Sequence, residues 1–500
     1  MIVREYDSGR HTVQDPIHGA VTFGAIEKAI IDHGLFQRLH GLRQNSLLYL
    51  VFPSANHTRF DHSIGVMCLA EKFLTAVIKN QEQICRTGES RDIYQKSYRV
   101  DGAAMKEAMQ ALSVDNYFRI VLRAAALFHD IGHGPLSHLF DDFFPSASEM
   151  KAITKERSFD HIYARLLKFR GSDARKPIRH EVLSCVIATR VILDCSQIIE
   201  SFGIDSSKMA KDVCAIIEDG IEPSDQLNIP HYKVEGLSRD ILSSDIDVDR
   251  MDYLLRDSHM CGVNYGLYDP DRILKSMCAY GRTNTKELRI AVRYSGLGAL
   301  EDLLLSRYQM HAQIYGHKTN RACNAMLAQI RIRLQAARWN WYEGCRTTKQ
   351  LLGRFLGLDD HTFIQMLRNR KVDGGNGEVK EIAEKLFVER KLYKRVYEER
   401  AVSTGKKTTS ASKRWEKYRH RLTQGRVKFK EDEFENKGPK LNQPDCFLKV
   451  LRKHPQQKYY GVHELSGFTT IVRYIPEKEY TYRVYCKEKY VKRAKSLLLG

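Results

Sequence analysis

The sequence predicts a mainly α protein with a smaller mixed α+β C-terminal region. Three observations carry this reading. Long segments of residues 1–320 repeat apolar side chains at helical spacing. No regular series of alternating strands accompanies them. Strand-like alternation is clearest at the far end, at Thr469–Tyr474 and Tyr480–Tyr485.

In chain order, a short β-pair is expected near Thr12–Phe23. Helices follow over Phe36–Leu50, Ile64–Val77, Phe118–Phe128, His180–Leu193 and Leu300–Ile314, with a strand at Leu288–Tyr294. Residues 321–400 read as further amphipathic helix, broken by a glycine-rich loop at Lys371–Gly377. Ala401–Ser412 is polar and small, as in a linker, and Glu431–Pro444 reads as a second charged connection. The expected organisation is therefore a body over 1–320, a helical extension over 321–400, and a basic linker with an α+β lobe over 401–500.

Composition narrows the classes. The chain has 500 residues, 43% of them apolar and 10% aromatic, which excludes a mostly disordered chain. No apolar run approaches a bilayer span, so no membrane partner is expected. Met1–Asp7 lacks the apolar core of a secretory signal. The 11 cysteines are scattered singly, which suits reduced thiols and a cytoplasmic location. The net charge of +19 is uneven. Residues 1–320 hold 39 Lys and Arg against 41 Asp and Glu, and residues 321–500 hold 41 against 20. Such asymmetry is the usual footprint of an anionic partner.

The most informative segment is Ala124–His138, where an apolar helix runs into His129-Asp130. His133 follows four residues after His129, which on a continued helix puts both imidazoles on one face. His138 stands just beyond Gly134-Pro135, which should end that helix. Upstream lies His57-Thr-Arg-Phe-Asp-His62, and downstream the acidic run Asp245–Asp257. Imidazole and carboxylate together suit a first-row divalent ion such as Fe, Zn, Mn or Ni. Asp245 and Asp247 also fit plain helix caps.

The order of His62, then His129-Asp130, then Asp249 resembles the HD phosphohydrolase superfamily. Further matches are Asp15-Pro-Ile-His-Gly19, Tyr49-Leu-Val-Phe-Pro53, Arg59–Gly65, His180-Glu181, Asp247–Tyr253 and Arg307–Lys318. Together they resemble the HD-domain deoxynucleoside triphosphate triphosphohydrolases over residues 11–320. The fold so implied is an HD-domain helical bundle, with no SAM domain ahead of it. The activity implied is water attack on the α-phosphorus of a dNTP, releasing deoxynucleoside and inorganic triphosphate.

The resemblance also implies roles. His62, His129, Asp130 and Asp249 would bind the metal, with Mg²⁺ accompanying the triphosphate. His133 would be the general acid or would activate water, and His180 would assist the leaving oxygen or the phosphate. Arg59, His138, Arg250, Tyr253 and Arg307 would hold phosphate oxygens. Gln44 and Asp257 would grip the sugar 3′-hydroxyl, and His311 and Tyr315 would border the sugar and base. Asn45 stands where the animal enzymes carry an apolar residue against the sugar, which leaves strict deoxy preference open. Asp32 and Gln37 match two of three positions of a regulatory nucleotide site, and His40 replaces the third, an Arg. An activating nucleotide and a homo-oligomer, tetrameric or of higher even order, are implied in the same way.

The alternatives are a phosphohydrolase acting on another nucleotide and a nucleic-acid-binding protein. The second rests on the basic stretch 390–430, where Tyr393, Tyr397, Trp415 and Tyr418 interleave with Lys and Arg. A solvated basic helix with a linker, or a regulatory-nucleotide site between subunits, fits the same stretch.

Overall fold

A computed structural model of the chain describes residues 11–86, 98–99, 102–282, 285–403, 409–437, 448–453, 460–469, 475 and 478–499. The expected β-pair is present as β1 (His11–Asp15) and β2 (Gly19–Phe23), which are antiparallel. Asp15 shapes the turn, its Oδ1 accepting from the amides of Ile17 and His18 at 2.8 Å.

The body is built on six helices: α1 (Arg59–Arg86), α2 (Asn116–Phe128), α3 (His180–Asp194), α4 (Ser206–Ile217), α5 (Val248–Cys261) and α6 (Leu297–Met310). Helix α2 is buried along nearly its whole length and lies against α1 and α4. Asp115 caps it by accepting from the Phe118 amide at 3.0 Å. Asp247 caps α5 through the Arg250 amide at 2.7 Å, so the modest capping role suits it. Gly262, at φ 66°, ends α5 in the left-handed conformation that glycine adopts freely. Each fully buried Leu, Ile or Phe of this core contributes about 1.5–3 kcal/mol relative to exposure.

One expected helix and the expected continuation of another differ. Phe36–Leu50 is not one helix but short turns, Gly34–Gln37, Arg38–Gly41 and Leu48–Leu50. Tertiary contacts compete with helical hydrogen bonding here. Arg38 Nε donates to the Leu358 carbonyl at 2.6 Å, and the Arg43 amide donates to Asp360 at 3.0 Å. A Cβ at Gly41 would fall 2.7 Å from the Asp359 side chain. Likewise α2 ends at Phe128, so His129 and His133 share a turn rather than a helix face. The Ile131 and His133 amides donate to the Phe128 and Asp130 carbonyls at 3.2 and 3.1 Å.

Helix α7 (Lys318–Ala336) opens the second part, followed by Thr348–Leu356, Asp360–Leu367 and Glu378–Phe387. The loop expected at Lys371–Gly377 is present, with Gly374, Gly375 and Gly377 at positive φ. Strands β3 (Met277–Arg282), β4 (Leu288–Arg293), β7 (Lys449–Lys453) and β8 (Tyr460–Glu464), with Tyr98–Arg99 at one edge, form a five-stranded sheet. The β4–β7 pair is parallel and joins the body to the C-terminal residues. Strands β5 (Lys394–Ser403), β6 (Phe429–Lys437) and β9 (Lys478–Cys486) form an antiparallel sheet in the order β5-β9-β6.

Thus Lys394–Ser403 is strand where helix and linker were expected. Residues 409–412 begin helix Thr409–Gln424, while 404–408 lie outside the described residues. The connection expected at Glu431–Pro444 starts inside β6, and 438–444 lie outside the described residues. The strand expected at Tyr480–Tyr485 is in β9, whereas 470–474 also lie outside. Charged residues hide this second sheet in the sequence. They pair across it, as Arg483 Nε does with Glu398 at 2.7 Å. Tyr397 and Trp415 stack at 5.6 Å against the small core beneath the sheet. These rings therefore serve packing rather than an open base-stacking surface. Among the described residues no helix is long and apolar enough to cross a membrane.

Candidate metal centre and substrate cleft

The N-terminus of α1, the turn after α2 and the first turn of α5 converge. His62 Nε2 lies 3.0 Å from Asp249 Oδ1 and 3.7 Å from Asp130 Oδ2. His129 Nε2 lies 3.5 Å from Asp130 Oδ2 and 3.7 Å from Asp249 Oδ1. Four ligands about 2.1 Å from one ion sit roughly 3.4 Å apart in tetrahedral geometry, so the spacing fits a first-row divalent ion. The other ring nitrogens are occupied. His62 Nδ1 bonds Asp252 Oδ2 at 2.8 Å, and His129 Nδ1 bonds the Ala126 carbonyl at 2.8 Å. Each imidazole is thereby held with Nε2 toward the centre, the arrangement metal-binding histidines need. His129 Nε2 is buried without a hydrogen-bond partner, which a metal would supply.

Behind these ligands stands a charge network absent from the sequence-based assignment. Asp252 also accepts from His18 Nε2 at 2.6 Å and from Arg256 Nε at 2.8 Å, while Arg256 Nη1 donates to Asp15 at 2.8 Å. Gly65 makes room for it, since a Cβ there would lie 2.0 Å from Asp252 Oδ1. Burial alone would raise the Asp252 carboxyl, but Arg256, His18 and His62 overcome it and hold the group well below the usual range. Burial opposes charge on His62 too, yet Asp249 and Asp252 hold its pKa up at about 10. Asp252 was legible as part of the acidic run, but nothing in that run separates it from Asp249.

Beside the ligands lies a histidine cluster. The His133 and His180 rings stack at 3.7 Å, and His138 stands edge-on to His133 at 4.9 Å. His133 Nε2 is 3.4 Å from Asp130 Oδ1. Burial, Arg59 and His180 push His133 well below its ordinary value, so it is neutral at pH 7. Asp141, not anticipated, bonds His138 Nδ1 at 3.1 Å and lies 3.8 Å from His180 Nδ1. Burial resists its ionisation, but these histidines hold its carboxyl far below the ordinary range.

Arg59 is buried between Asp130, with which it pairs, and Ser137 Oγ at 2.6 Å. Ser137 and Leu136 both have positive φ, 62° and 58°, unusual for residues with side chains. Asp360 holds this strained loop: its Oδ1 accepts the Leu136 amide at 2.8 Å while its Oδ2 accepts Arg43. One carboxylate from the helical extension therefore ties down the loops that carry Gln44 and His138.

These groups open into a cleft of about 800 Å³. Its lining includes Gln44, Asn45, Arg59, His133, His138, His180, Asp249, Tyr253, Asp257, Arg307, His311 and Tyr315. Helix α6 passes into a π-helical turn at His311–Tyr315, a local widening common at functional sites. Both oxygens of Asp257 are engaged, by His57 Nε2 at 2.7 Å and by the Tyr315 hydroxyl. Arg307 lies 3.5 Å from Asp245. Arg250 is held by Asp247 and does not line the cleft. Asp32 and Gln37 are exposed outside it. Asp32 pairs with Lys28, Gln37 Nε2 donates to the Ile31 carbonyl at 2.8 Å, and His40 stacks on Phe60 at 3.7 Å.

Residues 269–432 match the family model described as HD associated region. The chain is 27% identical to an uncharacterized protein of Methanocaldococcus jannaschii over 64% of this chain and 49% of that protein. It is 28% identical to the deoxynucleoside triphosphate triphosphohydrolase SAMHD1 of Homo sapiens over 63% of this chain and 43% of that enzyme. The chain spans about half the length of the curated relatives it matches. A crystal structure of a hypothetical protein from Aquifex aeolicus, 25% identical, superposes with a TM-score of 0.63 over 98% of this chain and 99% of its own. The ordered motifs, the convergent histidines and carboxylates and these likenesses agree: the chain is similar to HD-domain proteins, among them the deoxynucleoside triphosphate triphosphohydrolase SAMHD1.

Proposed function

We propose that the chain is a metal-dependent phosphohydrolase that cleaves dNTPs to deoxynucleoside and inorganic triphosphate. The observation that carries this is the convergence of His62, His129, Asp130 and Asp249 beside a histidine cluster, at the floor of one cleft. His62, His129, Asp130 and Asp249 would hold the ion. When bound, such an ion polarises a phosphate oxygen and lowers the pKa of its water. His133, neutral and beside Asp130, is placed to orient the attacking water. His180, oriented with His138 by Asp141, is placed to protonate the leaving oxygen. Arg307 supplies charge for the phosphates, which enter with Mg²⁺, and His138 lines the cleft beside them. Asp257, fixed by His57 and Tyr315, presents a carboxylate to the sugar. Asp32 and Gln37 belong to a regulatory nucleotide site in a homo-oligomer.

A second reading, hydrolysis of ribonucleotides, is favoured by one observation. Asn45 Nδ2 is buried without a partner on a residue lining the cleft, and a sugar hydroxyl would satisfy it. Incubation with each dNTP and NTP, with Mn²⁺ or Mg²⁺, followed by assay of inorganic triphosphate, separates the two. Triphosphate from dNTPs supports the first reading. Triphosphate from NTPs alone supports the second, and none from any nucleotide mixture overturns both.

A further inference from the structure

The cleft does not end at Tyr315. Its lining continues along α7 through Arg321 and Asn324 and onto strand β6 of the C-terminal sheet, at Asp432, Phe434 and Glu435. We infer that β6 forms the nucleobase end of the cleft, with Phe434 as the stacking residue that sets affinity for the base. This rests on the nucleotide reading above.

The metal ligands, the histidine cluster and Arg307 gather at one end of the cleft, so a triphosphate bound there leaves its base toward β6. Position agrees with this direction. Gly316 directly follows Tyr315, whose hydroxyl meets Asp257, and a Cβ at Gly316 would fall 2.8 Å from Phe434 Cε1. The Phe434 ring therefore lies against the backbone next to the sugar-binding pair. Phe434 is only half-buried, so part of its ring remains open. Arg321 fixes the strand. Its Nε donates to Asp432 Oδ2 at 3.0 Å, and its guanidinium carbon lies 5.1 Å from the Phe434 ring centre. A ring so held gives a base a rigid platform, and stacking tolerates every base because each has a π-face.

The test compares Phe434→Leu and Phe434→Trp with the parent. KM is measured for all four dNTPs, and inhibition constants are measured for inorganic triphosphate, which has no base. Phe434→Leu should raise KM for dNTPs about tenfold, keep kcat, and leave inhibition by triphosphate unchanged. Phe434→Trp should restore KM. If dNTPs and triphosphate weaken equally, Phe434 merely shapes the cleft and the inference is overturned. Unchanged KM for every dNTP in Phe434→Leu overturns it as well, with the nucleotide reading intact. A parent chain that binds triphosphate but hydrolyses no nucleotide removes the nucleotide reading, and this inference with it.

Discussion

The floor and the wall of the cleft are built on different physics. The floor, from the near-neutral body, is a buried lattice of histidines, aspartates and arginines in which each group orients the next. The chain Asp15–Arg256–Asp252–His62–Asp249 has almost no exposure before its last member. The wall, from α7 and β6, carries the more exposed pairs, Arg331–Asp142 and Arg333–Glu378, beside the largely buried Arg321–Asp432. Buried charge networks are costly to break and geometrically exact in their demands, which suits chemistry. Screened pairs contribute little each and tolerate change, which suits shape and selectivity.

The comparison can be broken at its strongest point first. His129→Ala and Asp130→Ala should each lower hydrolysis by about a thousandfold or more, by loss of the bound ion. The two should differ in stability. His129→Ala should melt near the parent, while Asp130→Ala should melt lower because buried Arg59 loses its carboxylate. Triphosphate release and thermal melting measure both. If either variant keeps most of its activity, the ligand assignment fails.

Asp252→Asn tests whether the network behind the ligands acts on the metal. It should weaken metal affinity by about 10–100-fold, read by titrating the chelated protein with Mn²⁺, and should also lower the melting temperature. Unchanged affinity would reduce Asp252 to a structural ion-pair partner.

Asp360→Ala probes a buried tie from the second region to the floor. Two amides lose their acceptor, so a loss of about 1–3 kcal/mol in chemical denaturation is expected, with reduced kcat as the Leu136–Ser137 loop relaxes. Full activity at lowered stability would show that the strained loop is set by the body alone.

The smallest effect is in pH dependence. Burial, with Arg307 and Arg250, pushes His311 down to about 3, and His133 is likewise depressed. Both stay neutral in the fold, while the unfolded chain takes up protons near pH 6.5. Acidification from about pH 7 to about pH 5 therefore favours unfolding through these groups. His311→Asn should lose less melting temperature over that interval than the parent. An equal loss would mean that His311 protonates freely in the fold.

Much of the floor was legible because its residues stand in short ordered motifs. His62, His129, Asp130 and Asp249 could be named from spacing and resemblance, and they converge. His311 and Tyr315 line the same cleft. Arg250 pairs with Asp247, and a charged residue beside an acidic helix cap reads the same in sequence whether it faces that cap or a substrate. Asp252, His18 and Arg256 were passed over because their roles exist only through contacts made 190 to 241 residues away. The strands at Lys394–Ser403 and Phe429–Lys437 escaped notice because their charges pair across the sheet instead of alternating with apolar residues.

By itself, the sequence determined the mainly α class, the uneven charge and the set of atoms able to hold an ion. Those depend on residue identity and on spacings of a few residues, which local geometry converts directly into turns and helix ends. Tertiary structure alone decided which carboxylate orients which imidazole, that Asp360 ties down the active loop, and that a C-terminal strand closes the cleft. Those are long-range contacts chosen by the burial of the whole core, and no local pattern encodes them.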